Sequence, residues 1–178
     1  MNMKPLVISE LVFLLFWSVL SFGQNTNHKV EPLKVYEQDN IKVKSFDFNG
    51  LERYLKPEND VLYVVNFWAT WCQPCVAELP YFERINNEFK NQNVKVILVS
   101  LDMSKQVTTR LIPYIQKNNI QSEVVLLNDL DADTWINKVD SSWSGALPAT
   151  LFYSTEKRVF FEKSFTYESL LEQLKNFL

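Results

Sequence analysis

Two cysteines are the only thiols in the 178 residues, and both stand in one stretch, Trp71-Cys72-Gln73-Pro74-Cys75. A Cys-x-x-Cys pair can pass between dithiol and disulfide, and the thiolate is the form that attacks. The pair falls where an apolar run (VLYVVNF, Val61 to Phe67) gives way to a helical pattern. At a helix N-terminus, unpaired N–H groups and the helix dipole favour an anion and so lower a thiol's pKa. A thiol of pKa ~8.5 is only about 3% thiolate at pH 7, whereas one near 7 is about half ionised. Cys72, first on the helix and nearest solvent, is the expected attacker. Cys75, one turn in and on the apolar stripe, is expected to resolve the mixed disulfide.

Other uses of two cysteines fit less well. A disulfide closing a four-residue loop adds only about 2 kcal/mol, which a chain of this length does not need. Two thiolates fill half of a tetrahedral zinc site. Haem attachment requires His after the second Cys, where this chain has Val76. Thin composition removes most competing chemistry. With 18 basic against 21 acidic side chains the net charge is −3, so no basic field invites nucleic acid. The one histidine, His28, lies in a polar stretch, and Gly23, Gly50 and Gly145 form neither a Gly-x-Gly-x-x-Gly turn nor a P-loop. Neither a metal nor a cofactor is expected.

The elements that must hold this pair are readable as periodicities. Val61–Phe67 and Val94–Ser100 are apolar, β-branched runs of the kind buried on both sheet faces. Between them Cys75, Leu79, Phe82, Ile85 and Phe89 recur at helical steps, completing a β-α-β unit with a right-handed crossover. Pro80 should kink that helix, because its ring blocks the bond to residue 76. Residues 41–48 read as a strand closed by a turn at Asn49-Gly50, then a short helix ended by Pro57. A helix with a kink or break at Pro113 is expected over 105–118, a short strand over 124–127 and a short helix over 131–139. Ala149–Ser154 and Arg158–Lys163 form a hairpin, and a last helix begins after Thr166, with Glu168 near its positive end. The fold class is therefore α/β, one domain over 41–178 with a central mixed β-sheet flanked by helices.

Residues 1–23 read as a signal peptide: Lys4 gives a positive start, Leu11–Leu20 an apolar stretch, and Ser21-Phe22-Gly23 small residues at the positions a signal peptidase inspects. Cleavage is expected before Gln24, and an uncleaved membrane anchor is the alternative. Either way the chain is expected to be exported and periplasmic. Residues 24–40 are polar and aperiodic, a flexible lead-in.

From Val65 to Cys75 (VNFWATWCQPC), with Glu78-Leu79-Pro80 following, the chain resembles the thioredoxin superfamily, in particular its exported TlpA/ResA-like branch. Gly145-Ala146-Leu147-Pro148-Ala149-Thr150 is similar to that family's cis-proline loop, and the likeness spans roughly residues 40–178. The resemblance implies a thioredoxin-like fold with an extra strand and helix insertion and an N-terminal strand. It implies that Pro148 is cis and packs on the dithiol, whereas an ordinary trans proline is expected if the likeness fails. Leu147 would offer backbone groups to an extended substrate, with Trp71, Pro74 and Trp143 beside the groove; for Trp143 a packing role is the alternative. Asn66 stands where cytosolic thioredoxins carry a buried aspartate. Proton transfer must then fall elsewhere or to water; Glu78, on the same helix face as Cys75 and similar to the glutamate of the exported branch, is the candidate, unless it is only a carboxylate favoured by the helix dipole.

The activity implied is thiol–disulfide exchange, as a reductase of protein disulfides with a role in cytochrome c maturation. Gln73-Pro74 does not fix the direction, because Cys-x-x-Cys proteins span about −270 to −120 mV. The expected partners are protein disulfides or thiols, with a membrane thiol relay as electron donor, and the expected state is a monomer. A Cu(I) carrier using the same two thiolates is the alternative function. A thiol peroxidase fits poorly, since the attacking cysteine has a resolving partner three residues away.

Overall fold

Leu62–Trp68 is buried at every position, and the sheet is assembled around it. The computed structural model describes residues 30–57 and 60–178. The expected signal peptide and His28 lie outside the described residues. Seven strands run in the order β1-β2-β5-β4-β3-β6-β7: β1 Lys34–Gln38, β2 Ile41–Phe46, β3 Leu62–Trp68, β4 Val94–Ser100, β5 Glu123–Leu127, β6 Ala149–Tyr153 and β7 Arg158–Phe161. β2, β5, β4 and β3 are mutually parallel, while β1 and β6 run against their neighbours. The mixed α/β sheet is the one expected.

Side chains alternate across a strand, so β3 feeds two separate cores. Leu62, Val64 and Trp68 face α2 (Gln73–Phe89), α3 (Ile112–Lys117) and α5 (Tyr167–Lys175). Tyr63, Val65 and Phe67 face α1 (Phe48–Tyr54) and α4 (Ala132–Val139). The register Phe67↔Ala149 places the start of β6 beside the end of β3. One further step along it brings Pro148 alongside Trp68.

Several local expectations are corrected. Part of the supposed lead-in, Lys34–Gln38, is an edge strand joined to β2 by Asp39 and Asn40, both at positive φ (50° and 66°). A two-residue hairpin with both central residues left-handed matches the natural strand twist, and edge strands are polar because they face water. Asn49-Gly50 is not a turn but lies inside α1. The Asp47 carboxylate caps that helix by accepting from Gly50 N at 2.7 Å, and Asp129 accepts from Phe48 N at 3.0 Å. A Cβ on Gly50 would stand 2.9 Å from the capping oxygen, so the close approach requires glycine.

Residues 104–117 are not one kinked helix. A 3-10 turn (Ser104–Gln106) and a π-helical turn (Val107–Leu111) lead into α3, and Pro113 sits in that helix's first turn, where its missing N–H is tolerated. α2 in contrast continues through Pro80 to Phe89. The C-terminal helix has the expected cap: Thr166 and Ser169 exchange side-chain and backbone hydrogen bonds. The helix stops at Lys175, and Leu178 is exposed.

Phe82 is fully buried on α2 against the sheet. Phe82→Ala is expected to lower stability by about 3–5 kcal/mol in urea unfolding, through lost burial and a residual cavity. A loss below ~1 kcal/mol would contradict this packing.

Candidate active site

After Trp68 the chain leaves the sheet, turns through Ala69, Thr70 and Trp71, and starts α2. Cys72 is the N-cap of that helix, with extended backbone, rather than its first helical residue. Its carbonyl accepts from Val76 N at 3.0 Å, and its Sγ accepts from Cys75 N at 3.3 Å. Pro74 follows within the first turn, where a residue lacking N–H leaves no bond unmade. The pair is joined as a disulfide with Cα atoms 5.3 Å apart. Cys75 is 0% exposed and Cys72 6%, beneath the exposed Trp71, Gln73 and Pro74. The order of accessibility is the expected one. The Cys75 N–H is aimed at Cys72 Sγ, an arrangement that favours negative charge on that sulfur when the pair is reduced.

The approach to Cys72 is fixed from behind by Asp102, which sequence reasoning missed. Its buried carboxylate accepts from Thr70 N (3.0 Å), Thr70 Oγ1 (2.6 Å) and Ser100 Oγ (2.9 Å). Leu101 N also donates to Trp68 O at 2.8 Å, so the loops after β3 and β4 are tied together. An acid two residues past a buried strand was the available signal, but its partner lies 32 positions away.

Glu78 lies three residues past Cys75 on the same face of α2 and is 1% exposed. Each carboxylate oxygen has a donor: Asn66 Nδ2 reaches Oε1 at 2.9 Å and Phe165 N reaches Oε2 at 2.7 Å. Asn66 Nδ2 also donates to Thr150 Oγ1 at 3.1 Å on the neighbouring strand. Burial raises the Glu78 pKa and outweighs both hydrogen bonds, pushing it up to about 7. The residue that cannot titrate, Asn66, thus holds the one that can. A carboxyl group poised near neutrality can accept or return a proton as the dithiol cycles.

The Leu147-Pro148 bond is cis, as the resemblance implied. Pro148 is buried and Leu147 is half-buried against both cores. Trp143 requires correction. It is 4% exposed and packs on Phe67 (ring centroids 4.9 Å apart), Trp135 and Phe160, on the sheet face away from α2. It does not flank a surface groove; its Nε1 donates to Ala146 O at 2.9 Å and supports the proline loop from the other side. For a soft metal the site offers the cysteine pair. Among the described residues no group of three or more His, Cys, Asp or Glu is arranged to hold an ion.

The raised pKa of Glu78 links folding to protons with a definite sign. Between its ordinary 4.5 and about 7 the folded chain binds a proton that the unfolded chain has lost. Its contribution to stability is therefore full below about 4.5 and lost as pH rises to about 7, a swing of ~3 kcal/mol at about 1.4 kcal/mol per pKa unit. Glu78→Gln should lack that slope in urea unfolding series, and the pH profile of disulfide exchange should shift. Identical stability slopes and pH profiles in the two proteins would contradict the assignment.

Comparison with known proteins agrees with this geometry. The chain is 29% identical to the thiol-disulfide oxidoreductase ResA of Bacillus subtilis (strain 168) over 113 residues, 64% of this chain and 58% of that one. It is 45% identical to ResA of Oceanobacillus iheyensis over 49 residues, 28% of this chain and 26% of that one. The matched segment thus spans less than two thirds of either relative. In fold, it is similar to the crystal structure of a thioredoxin-related protein from Neisseria meningitidis serogroup B, with TM-score 0.58 at 20% identity, covering 68% of this chain and 87% of that one. The arrangement is thioredoxin-like. The family model that matches, over residues 33–161 and so most of the chain, is that of the AhpC/TSA family, and the chain belongs to it.

Proposed function

We propose that this protein is an exported thiol–disulfide oxidoreductase that reduces disulfides in protein partners. The observation that carries the reading is the placement of Cys72: N-cap of α2, Sγ facing the Cys75 N–H, beneath exposed Trp71 and Pro74. A sulfur so placed is stabilised as thiolate, the attacking form.

The Cys72 thiolate attacks one sulfur of the partner's disulfide. A Cys72–partner bond forms, the partner's S–S bond breaks, and the first partner thiolate leaves. The Cys75 thiol then gives its proton to the Glu78 carboxylate and attacks Cys72 Sγ. The Cys72–Cys75 disulfide forms and the second partner thiolate departs. Two electrons have passed to the partner, and the pair is left oxidised, as it stands in this structure. A second dithiol must restore it, and for an exported chain a membrane thiol relay meets that need. The signal-like character of residues 1–23 supports export to the periplasm. Cysteine-paired apocytochromes c are partners of suitable chemistry, which gives the reductase its place in cytochrome c maturation.

Cys75→Ala removes the resolving thiol and is expected to accumulate a mixed disulfide between Cys72 and its partner, identifiable by mass spectrometry and released by reductant. Cys72→Ser should lower reduction of a protein disulfide by at least ~100-fold. Undiminished activity in Cys72→Ser, or a trapped partner attached elsewhere, would overturn the reading.

A further inference from the structure

The loop that ends in the cis proline is held by a carboxylate from beyond the site. Glu162 directly follows β7, whose pairing Thr150↔Phe161 sets it next to Ala149, just past Pro148. Its Oε1 accepts from Ala146 N at 2.8 Å and from the Ser144 hydroxyl; its Oε2 accepts from Ser144 N at 3.1 Å. One half-buried side chain thus gathers three donors from the four residues that precede the cis bond. Those bonds hold the carboxyl group below the usual carboxylate range, chiefly through the Ser144 hydroxyl.

The consequence lies in the peptide planes. Glu162 takes the N–H of the 145–146 peptide, and Trp143 Nε1 donates to the carbonyl of the 146–147 peptide at 2.9 Å. In a trans peptide N–H and C=O point in opposite directions. With its C=O turned to Trp143, the 146–147 peptide must direct the Leu147 N–H away from that ring. Gly145, at φ +93°, supplies the left-handed turn between the Ser144 and Ala146 amides that Glu162 holds, a conformation side-chain-bearing residues rarely adopt.

We propose that Glu162 is a positioning residue for partner binding, fixing the 144–147 backbone so that Leu147 presents its amide to an extended polypeptide beside the dithiol. The inference rests on the oxidoreductase reading above. A polypeptide disulfide uses that backbone, whereas a small disulfide needs only Cys72. Loss of Glu162 should therefore weaken one and spare the other.

The test compares the full chain with Glu162→Gln and Ser144→Ala in steady-state reduction of insulin and of a small aromatic disulfide, with a dithiol as donor. Gln keeps the size of the side chain but replaces one acceptor oxygen with a donor. Its KM for insulin should rise on the order of tenfold, as for a lost charge-assisted hydrogen bond, with kcat little changed. The rate with the small disulfide should stay within about twofold, and amide hydrogen exchange over 144–147 should quicken. Ser144→Ala removes one donor and should shift the insulin KM the same way by a smaller factor of about two to three, which decides the matter should Glu162→Gln fold poorly. An unchanged insulin KM, or equal losses with both disulfides, would overturn the proposal. A wild-type chain that reduces neither disulfide would instead overturn the reading beneath it.

Discussion

The structure around the dithiol depends on where a single sulfur sits relative to the end of a helix. Cys72 occupies the N-cap of α2, a place otherwise suited to Ser, Thr, Asp or Asn because a side-chain acceptor satisfies a first-turn N–H. Here the acceptor is Sγ and the donor is the N–H of the second cysteine. The capping bond and the redox pair are thus one feature. β3 must deliver the chain to that point from within a buried sheet, and Asp102 fixes the turn between them through Thr70.

A second requirement follows from burying Cys75. The thiol lies out of water, and the carboxyl group one turn on along the same face of α2, Glu78, is buried with it. Burial alone would keep Glu78 protonated well above its ordinary range, while its hydrogen bonds from Asn66 and Phe165 pull it back to about 7. The same bonds join three elements: β3 through Asn66, α2 through Glu78 itself, and the segment entering α5 through Phe165. Two apolar cores enclose the arrangement, one on each face of β3, and the proline loop spans both, with Leu147 packed against each.

How much of this the sequence disclosed depended on the range of the interaction. Apolar runs of β3 and β4 and the stripe of α2 were legible because period reports burial directly. The dithiol was legible because its spacing is local, and the position of Glu78 on the Cys75 face because it lies one turn away. β1 was hidden, since a polar edge strand has the composition of a linker, although Asp39-Asn40 held a hairpin signal. Asn49-Gly50 reads as a turn although it lies inside α1, because the deciding contact is the Asp47 cap. The side of the sheet on which Trp143 packs could not be read from its neighbours in sequence. Asp102 and Glu162 bind donors 16 to 32 residues away, and no local pattern announces such pairings.

Everything in this arrangement turns on stabilisation of the Cys72 thiolate by the helix N-terminus and the Cys75 N–H. Its most direct test is the rate of iodoacetamide alkylation of Cys72 in the reduced protein as a function of pH, read by peptide mass spectrometry. A thiolate held this way should give a midpoint well below the ~8.5 of an unperturbed thiol. A midpoint at or above that value would contradict it.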